Sequence, residues 1–193
     1  MNPSIYINWI LYSVYGLMAE ADALRRQYGD EVDAVADELQ RRCPVTPRPL
    51  YRGVLLDGAA PVLRPEPNLT FLSWSEDRDV ARWFGSTDSY ISGPFATHYP
   101  EARGYVLELP HATTRVLWHH SWRDVLPLER LALMHPLIGR DGARQVAWSL
   151  DTQREVITVP PAVATLPLPV PVETVPGTPM PELDARLSPP WIS

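Results

Sequence analysis

The chain has 193 residues, of which 17 are basic and 23 acidic, giving a formal net charge of −6. With 45% apolar and 21% charged residues it is long enough to bury one sizeable core, and its class is soluble and globular. The acidic balance excludes a protein held on nucleic acid by bulk charge alone, though not a local contact, and a single cysteine excludes an intrachain disulfide.

Cys43, beside Pro44, reads as a small apolar residue, and the cysteine usage fits a reducing compartment. All 17 basic residues are arginine, which fits GC-rich coding. The apolar stretch from Ile5 to Met18 is interrupted by Asn8 and Ser13 and is shorter than the ~20 residues of a membrane span. No basic residue precedes it, so a secretory signal is not expected and the stretch reads as a buried helix. The expected location is the cytoplasm, or a target cell reached without such a signal.

Two helices are expected to open the chain, in a helical part of about 4–43. Tyr6, Trp9, Ile10, Val14, Leu17 and Met18 follow helical spacing, in a helix running on to Tyr28 and ending at Gly29. Asp30 is placed to cap a second helix, with Val32, Val35, Ala36 and Leu39 as its apolar stripe and Arg41 and Arg42 at its end. Short strands follow at Leu50 to Leu56 and Thr70 to Ser73. Next comes a short helix from about Glu76 to Phe84, capped by Ser75 and stopped by Gly85. Strands are expected at Gly104 to Leu109 and Thr114 to Trp118, and a helix at Leu126 to Met134. Gln145 to Leu150 and Gln153 to Val159 read as two strands of a hairpin.

The sum is α+β: helices first, then a mostly antiparallel set of strands, in one domain spanning 1–159. The segment 160–193 holds ten of the 22 prolines, which argues against helix and central strand. An extended tail is expected, packed through Val163, Leu166, Leu168, Val170 and Val172. No internal repeat is visible.

Three short segments carry the chemistry, in the order Arg, Ser, Glu. They are Tyr51-Arg52-Gly53, Ser73-Trp74-Ser75 and Gln153-Arg154-Glu155. A planar guanidinium such as that of Arg52 pairs with phosphate oxygens bidentately, so it suits a diphosphate. A carboxylate such as Glu155 stabilises positive charge on a sugar whose glycosidic bond is breaking. If Gln153 to Val159 is a strand, Gln153 and Glu155 share a face about 7 Å apart and point into one cleft.

This arrangement resembles the Arg-Ser-Glu branch of the mono-ADP-ribosyltransferase superfamily, which includes bacterial toxins, phage enzymes and vertebrate ecto-enzymes. The resemblance covers residues 50 to 159, with Trp74 where the family usually has threonine. It implies a fold of N-terminal helices on a split, mostly antiparallel β-sandwich, and NAD⁺ as a substrate. By the same resemblance the catalytic residues are Arg52, Ser73, Gln153 and Glu155. Arg52, Gly53, Ser73, Ser75, Tyr90 and Phe95 would hold NAD⁺, with Tyr99 as a further ring to stack on nicotinamide. Gly53 would let the nicotinamide amide approach the backbone, and Ser73 would orient Glu155 or the ribose. The segment from Arg140 to Thr152, with Trp148, would face the acceptor.

A Gln-x-Glu motif accompanies acceptors other than arginine in the resembling family, and an amide both donates and accepts. The implied activity is transfer of ADP-ribose from NAD⁺ to a protein side chain or a nucleic-acid base, by a toxin, a phage-encoded host modifier or a defence effector. The alternatives are an NAD⁺ glycohydrolase and a non-catalytic binding module. No metal is expected, because His119-His120 lacks a second ligand pair at metal spacing. Arg78 and Arg82 are expected to face solvent. Oligomeric state is not legible in the sequence.

Overall fold

The computed structural model describes residues 3–57, 70–89, 92, 98–109, 114–161 and 169–191. The chain divides into two compact units, each assembled from three stretches. Unit 1 comprises Met1–Pro47, Asn68–Ser73 and Thr114–Pro160; unit 2 comprises Arg48–Pro67, Trp74–Thr113 and Pro161–Ser193. The class is α+β, and the strand pairs whose register is defined are antiparallel.

Unit 1 opens with helices α1 (Pro3–Tyr15), α2 (Met18–Gln27) and α3 (Gly29–Arg42). The single long helix expected at the N-terminus is two. Gly16 takes φ +96, and the N–H groups of Gly16 and Leu17 both donate to Tyr12 O, at 3.0 and 2.8 Å, closing α1. Gly29 begins α3 rather than ending its predecessor, and the cap position is Tyr28, with Asp30 and Glu31 in the first turn. Asp30 is therefore not the cap. It favours the helix through the positive N-terminal end of the backbone dipole instead.

Tyr6, Trp9, Ile10 and Leu11 of α1 are buried with Val32 and Ala36 of α3 and with Phe71. Tyr6 Oη donates to Leu117 O at 2.6 Å, and burial pushes the Tyr6 phenol far above its usual range. Cys43 is half-buried against this core, as a small apolar residue should be, and its carbonyl accepts from Trp122 Nε1 at 2.9 Å.

The rest of unit 1 is the stretch Asn68–Ser73, which enters β2, and β4 and β5 with two helices between them. The strands among the described residues are, in chain order, β1 (Leu50–Asp57), β2 (Leu72–Ser75), β3 (Ala102–Leu109), β4 (Val116–His119), β5 (Glu155–Thr158) and β6 (Val170–Pro171). A 3-10 turn (His120–Asp124), α5 (Leu128–Met134) and α6 (Gly139–Thr152) separate β4 from β5; α4 is the helix Arg78–Gly85. The expected hairpin of Gln145 to Leu150 with Gln153 to Val159 is not formed. Residues Gly139–Thr152 are helix, because Ala143, Val146 and Leu150 recur at three and four residues and all are buried. β5 pairs with β4 instead, Ile157 opposite Trp118 and Val156 opposite His119.

In unit 2, β1 lies between β2 and β3, with Arg52 opposite Leu107 and Gly53 opposite Val106. α4 sits on one face of these strands at unusually short range. A Cβ added at Gly53 would fall under 3.0 Å from Ala81 O and Gly85 N, and one at Gly104 under 3.0 Å from Gly85 O. Three glycines, distant in sequence, thus let helix backbone rest on strand backbone. β2 starts two residues later than expected, and α4 is capped by Asp77, whose side chain accepts from Asp79 N at 2.9 Å. Ser75 stands two residues earlier, its Oγ accepting from Asp77 N at 2.9 Å.

The proline-rich segment is not simply extended. β6 adds a short edge to β3, Val172–Thr174 forms a 3-10 turn, and α7 (Met180–Leu187) is a helix. Prolines occupy places that need no N–H: Pro171 ends the edge strand, Pro179 precedes α7 and Pro181 is in its first turn. Val172 packs against Ala81 and Val106, whereas Val170 is exposed. Val163, Leu166 and Leu168 lie outside the described residues.

Polar contacts bind this segment to α4. Arg82, expected at the surface, is buried and donates to Asp79 at 2.9 Å and to Thr178 O at 2.8 Å. Trp83 Nε1 donates to Asp184 at 2.7 Å, and Thr178 Oγ1 donates to Asp79 Oδ2 at 2.6 Å. Arg78 lies over the Tyr51 ring, 5.1 Å from its centroid.

Burial alone would raise the Asp79 carboxyl. The hydrogen bonds from Thr178 and Arg82 prevail and hold its pKa below the usual carboxylate range. Because the folded value lies below the unfolded one, the stabilisation is complete above about pH 4 and is lost as the pH falls through the lowered value. Asp79→Asn is therefore expected to flatten the acid limb of stability against pH and to lower the denaturant midpoint at pH 7. Midpoints measured across pH 2.5–7 check both; an unchanged acid limb would assign the acid sensitivity to other carboxylates.

Candidate active site

Ser73 and Glu155 meet. Ser73 Oγ donates to Glu155 Oε1 at 2.6 Å, across 82 residues of sequence and within unit 1. The short distance is that of a hydroxyl bonded to a carboxylate. Glu155 is 6% exposed, and it opens a strand in which Val156, Ile157 and Thr158 are buried too. A carboxylate is seldom placed so deep without partners.

The approach to Glu155 differs from a strand. Gln153 is the C-cap of α6, with φ −88 and ψ −18. Arg154 has φ +46, the left-handed region, and no other non-glycine among the described residues has a positive φ. Helices commonly end on one such residue, and glycine usually supplies it. The alternation argument that set Gln153 and Glu155 on one strand face therefore does not hold, because Gln153 ends the helix and Arg154 is not in an extended conformation.

The remaining residues of the three segments are placed as follows. Arg52 is half-buried on β1, in unit 2, on the strand face opposite Gly53 and α4. Tyr51 shares the α4 side, packed against the cluster of Ala81, Val106 and Val172. The space beside Gly53 is filled by the backbone of α4, so packing already requires a glycine there. The Ser75 hydroxyl serves the turn into α4. Tyr90 and Phe95 lie outside the described residues. Tyr99 is exposed and lines a cleft of about 330 Å³ with Leu55, Leu56, His98 and Glu101.

Two further groups in unit 1 were not expected. His119 is buried, stacked on His120 with ring centroids 4.4 Å apart, and its Nδ1 lies 2.7 Å from Ser121 Oγ. His119 is the strand partner of Val156, the residue after Glu155. The sequence signal was the His-His pair itself, which metal spacing alone did not make informative. Trp148, expected at an acceptor surface, is half-buried on α6. Comparison of the chain with protein-family models, with curated proteins and with solved structures gives no match.

Proposed function

We propose that the chain is a mono-ADP-ribosyltransferase on an ADP-ribosyltransferase-like fold with a split β-sandwich, transferring ADP-ribose from NAD⁺ to a macromolecule. The observation that carries this reading is the Ser73–Glu155 hydrogen bond, because two of the three motif residues, 82 positions apart, meet in one pair whose carboxylate is buried. In this reading the bond between nicotinamide and C1′ of the ribose breaks and nicotinamide leaves with the bonding electrons. Glu155 stabilises the cation left on the sugar. The acceptor then bonds to C1′ and releases its proton. Ser73 holds one carboxylate oxygen of Glu155 in place, and the planar guanidinium of Arg52 grips the diphosphate.

A hydrogen bond to a charged group contributes about 1.5–3 kcal/mol. Ser73→Ala is therefore expected to lower the rate of nicotinamide release by roughly 10- to 100-fold, mostly in kcat, as a positioning residue should. Release of nicotinamide from NAD⁺, with transfer of labelled ADP-ribose to lysate macromolecules, tests the activity itself. If neither occurs, the reading fails.

One observation favours a second reading, an NAD⁺ glycohydrolase. Gln153 ends a helix rather than lining a strand beside Glu155, which removes the geometric argument that tied it to an acceptor. Nicotinamide release without any labelled macromolecule distinguishes it.

A further inference from the structure

The α5–α6 corner of unit 1 exposes three large aliphatic side chains within five residues: Leu133 at 55%, Met134 at 85% and Leu137 at 67%. Single exposed leucines need no explanation, but a contiguous patch does. The inward sides of the same elements are already satisfied, since Leu128, Ala132, Ile138 and Val146 belong to the core. The patch is therefore not a core residue set left outside.

Its rim is basic on an acidic protein. Residues 130–144 contain Arg130, Arg140 and Arg144 against one acid, Asp141. All three arginines are exposed, and the side chains of Arg130 and Arg140 form no ion pair among the described residues. Arg144 reaches only the exposed Asp141, at 3.9 Å. Glu129 is neutralised by Arg123 at 2.7 Å. Arg140 and Arg144 stand one helical turn apart, about 6 Å along the axis.

We propose that this corner docks the protein that accepts ADP-ribose, by seating Leu133, Met134 and Leu137 in an apolar hollow whose border is acidic. The inference rests on the transferase reading. Exposed aliphatic side chains including methionine, flanked in the chain by exposed arginines, have the composition of a protein–protein interface, whereas surfaces built for nucleic acid are more polar. A second copy of the chain fits poorly, because a twofold contact would set the arginine rims against each other. α6 runs from this corner to the residues just before Glu155, and its 14 residues span about 20 Å. Docking and chemistry are thus separate on the surface, so one can be removed without the other.

Two double variants of the full chain test this, M134D/L137D and R140E/R144E, all at exposed positions. In lysate with labelled NAD⁺, each is expected to lower labelling of protein about tenfold, the effect of losing one strong interface contact. Nicotinamide release in buffer should stay within about twofold of wild type, since neither pair touches the catalytic pair. Added salt should weaken labelling by wild type more than by R140E/R144E. Undiminished labelling in both variants overturns the proposal, as does label found in nucleic acid alone. A wild-type dimer in sedimentation that M134D/L137D dissolves also overturns it and assigns the patch to a second copy. If wild type releases no nicotinamide, the transferase reading has failed, and the corner is judged by binding of a leucine- and glutamate-rich helical peptide. Tenfold weaker binding in either variant then supports an acidic protein partner, and no binding by wild type refutes one.

Discussion

Glu155→Gln is expected to reduce nicotinamide release from NAD⁺ by on the order of 10²–10³ while leaving thermal stability nearly unchanged. The substitution keeps the shape of the side chain and an oxygen able to accept from Ser73 Oγ, which donates at 2.6 Å in the native pair. It removes the charge and exchanges one acceptor oxygen for an amide donor. A buried carboxylate with so little exposure acts on a sugar cation through a medium that screens weakly, so the charge is the larger part of its effect. Single-turnover nicotinamide release checks the rate, and a thermal melt checks the fold. Because Ser73 acts through Glu155, the double variant S73A/E155Q should be little worse than E155Q alone. Native rates in E155Q would remove Glu155 from the chemistry, whatever Ser73 does.

The second large effect falls on stability. Gly53→Ala and Gly104→Ala each place a methyl group within 3.0 Å of backbone atoms of α4, where no side chain can swing aside. Overpacking a well-filled core costs about 1–3 kcal/mol when neighbours can adjust. Here the neighbours are the carbonyls and N–H groups of Ala81 and Gly85, so the loss is expected at or above about 3 kcal/mol. Denaturant unfolding should show each variant with a much lower midpoint or no cooperative transition. Gly16→Ala is the contrast: its φ of +96 makes it strained, but nothing lies within 4 Å of the added carbon. Its cost is expected near 1 kcal/mol. Comparable midpoints for Gly16→Ala and Gly104→Ala would mean that α4 lifts off the sheet at little cost.

These two effects differ in how far the sequence announced them. The Ser73–Glu155 hydrogen bond was legible as one of the two partners, Glu155 or the ribose, that the motif reading offered Ser73. The approach to Glu155 was not. In the window from Gln145 to Leu150, Val146, Trp148 and Leu150 alternate like a strand, yet Trp148 is half-buried while Ala143 outside the window is buried. A six-residue view cannot separate a period of two from a helical stripe of three and four. The break at Gly16 was hidden because hydrophobic spacing continues through Leu17 and Met18.

The glycine stack was invisible for another reason. Gly53, Gly85 and Gly104 carry no local signature of mutual contact, and only the packed fold brings their backbones together. The proline-rich segment misled through composition. Proline forbids helix and strand only where an N–H is needed, and Pro171, Pro179 and Pro181 stand where none is.

Unit 2 takes its strands from residues 48–67 and 74–113 and its last strand and helix from 161–193, while all of β4, α5, α6 and β5 intervene in sequence. On a ribosome, the β1–β3 framework therefore emerges long before the edge strand and helix that complete it, and must wait with an open border. No single cut of the gene separates the units, since each is threaded through the other's chain order. Refolding should be slow for this length, because the loops that close unit 2 are long and pay their entropy before any contact rewards them.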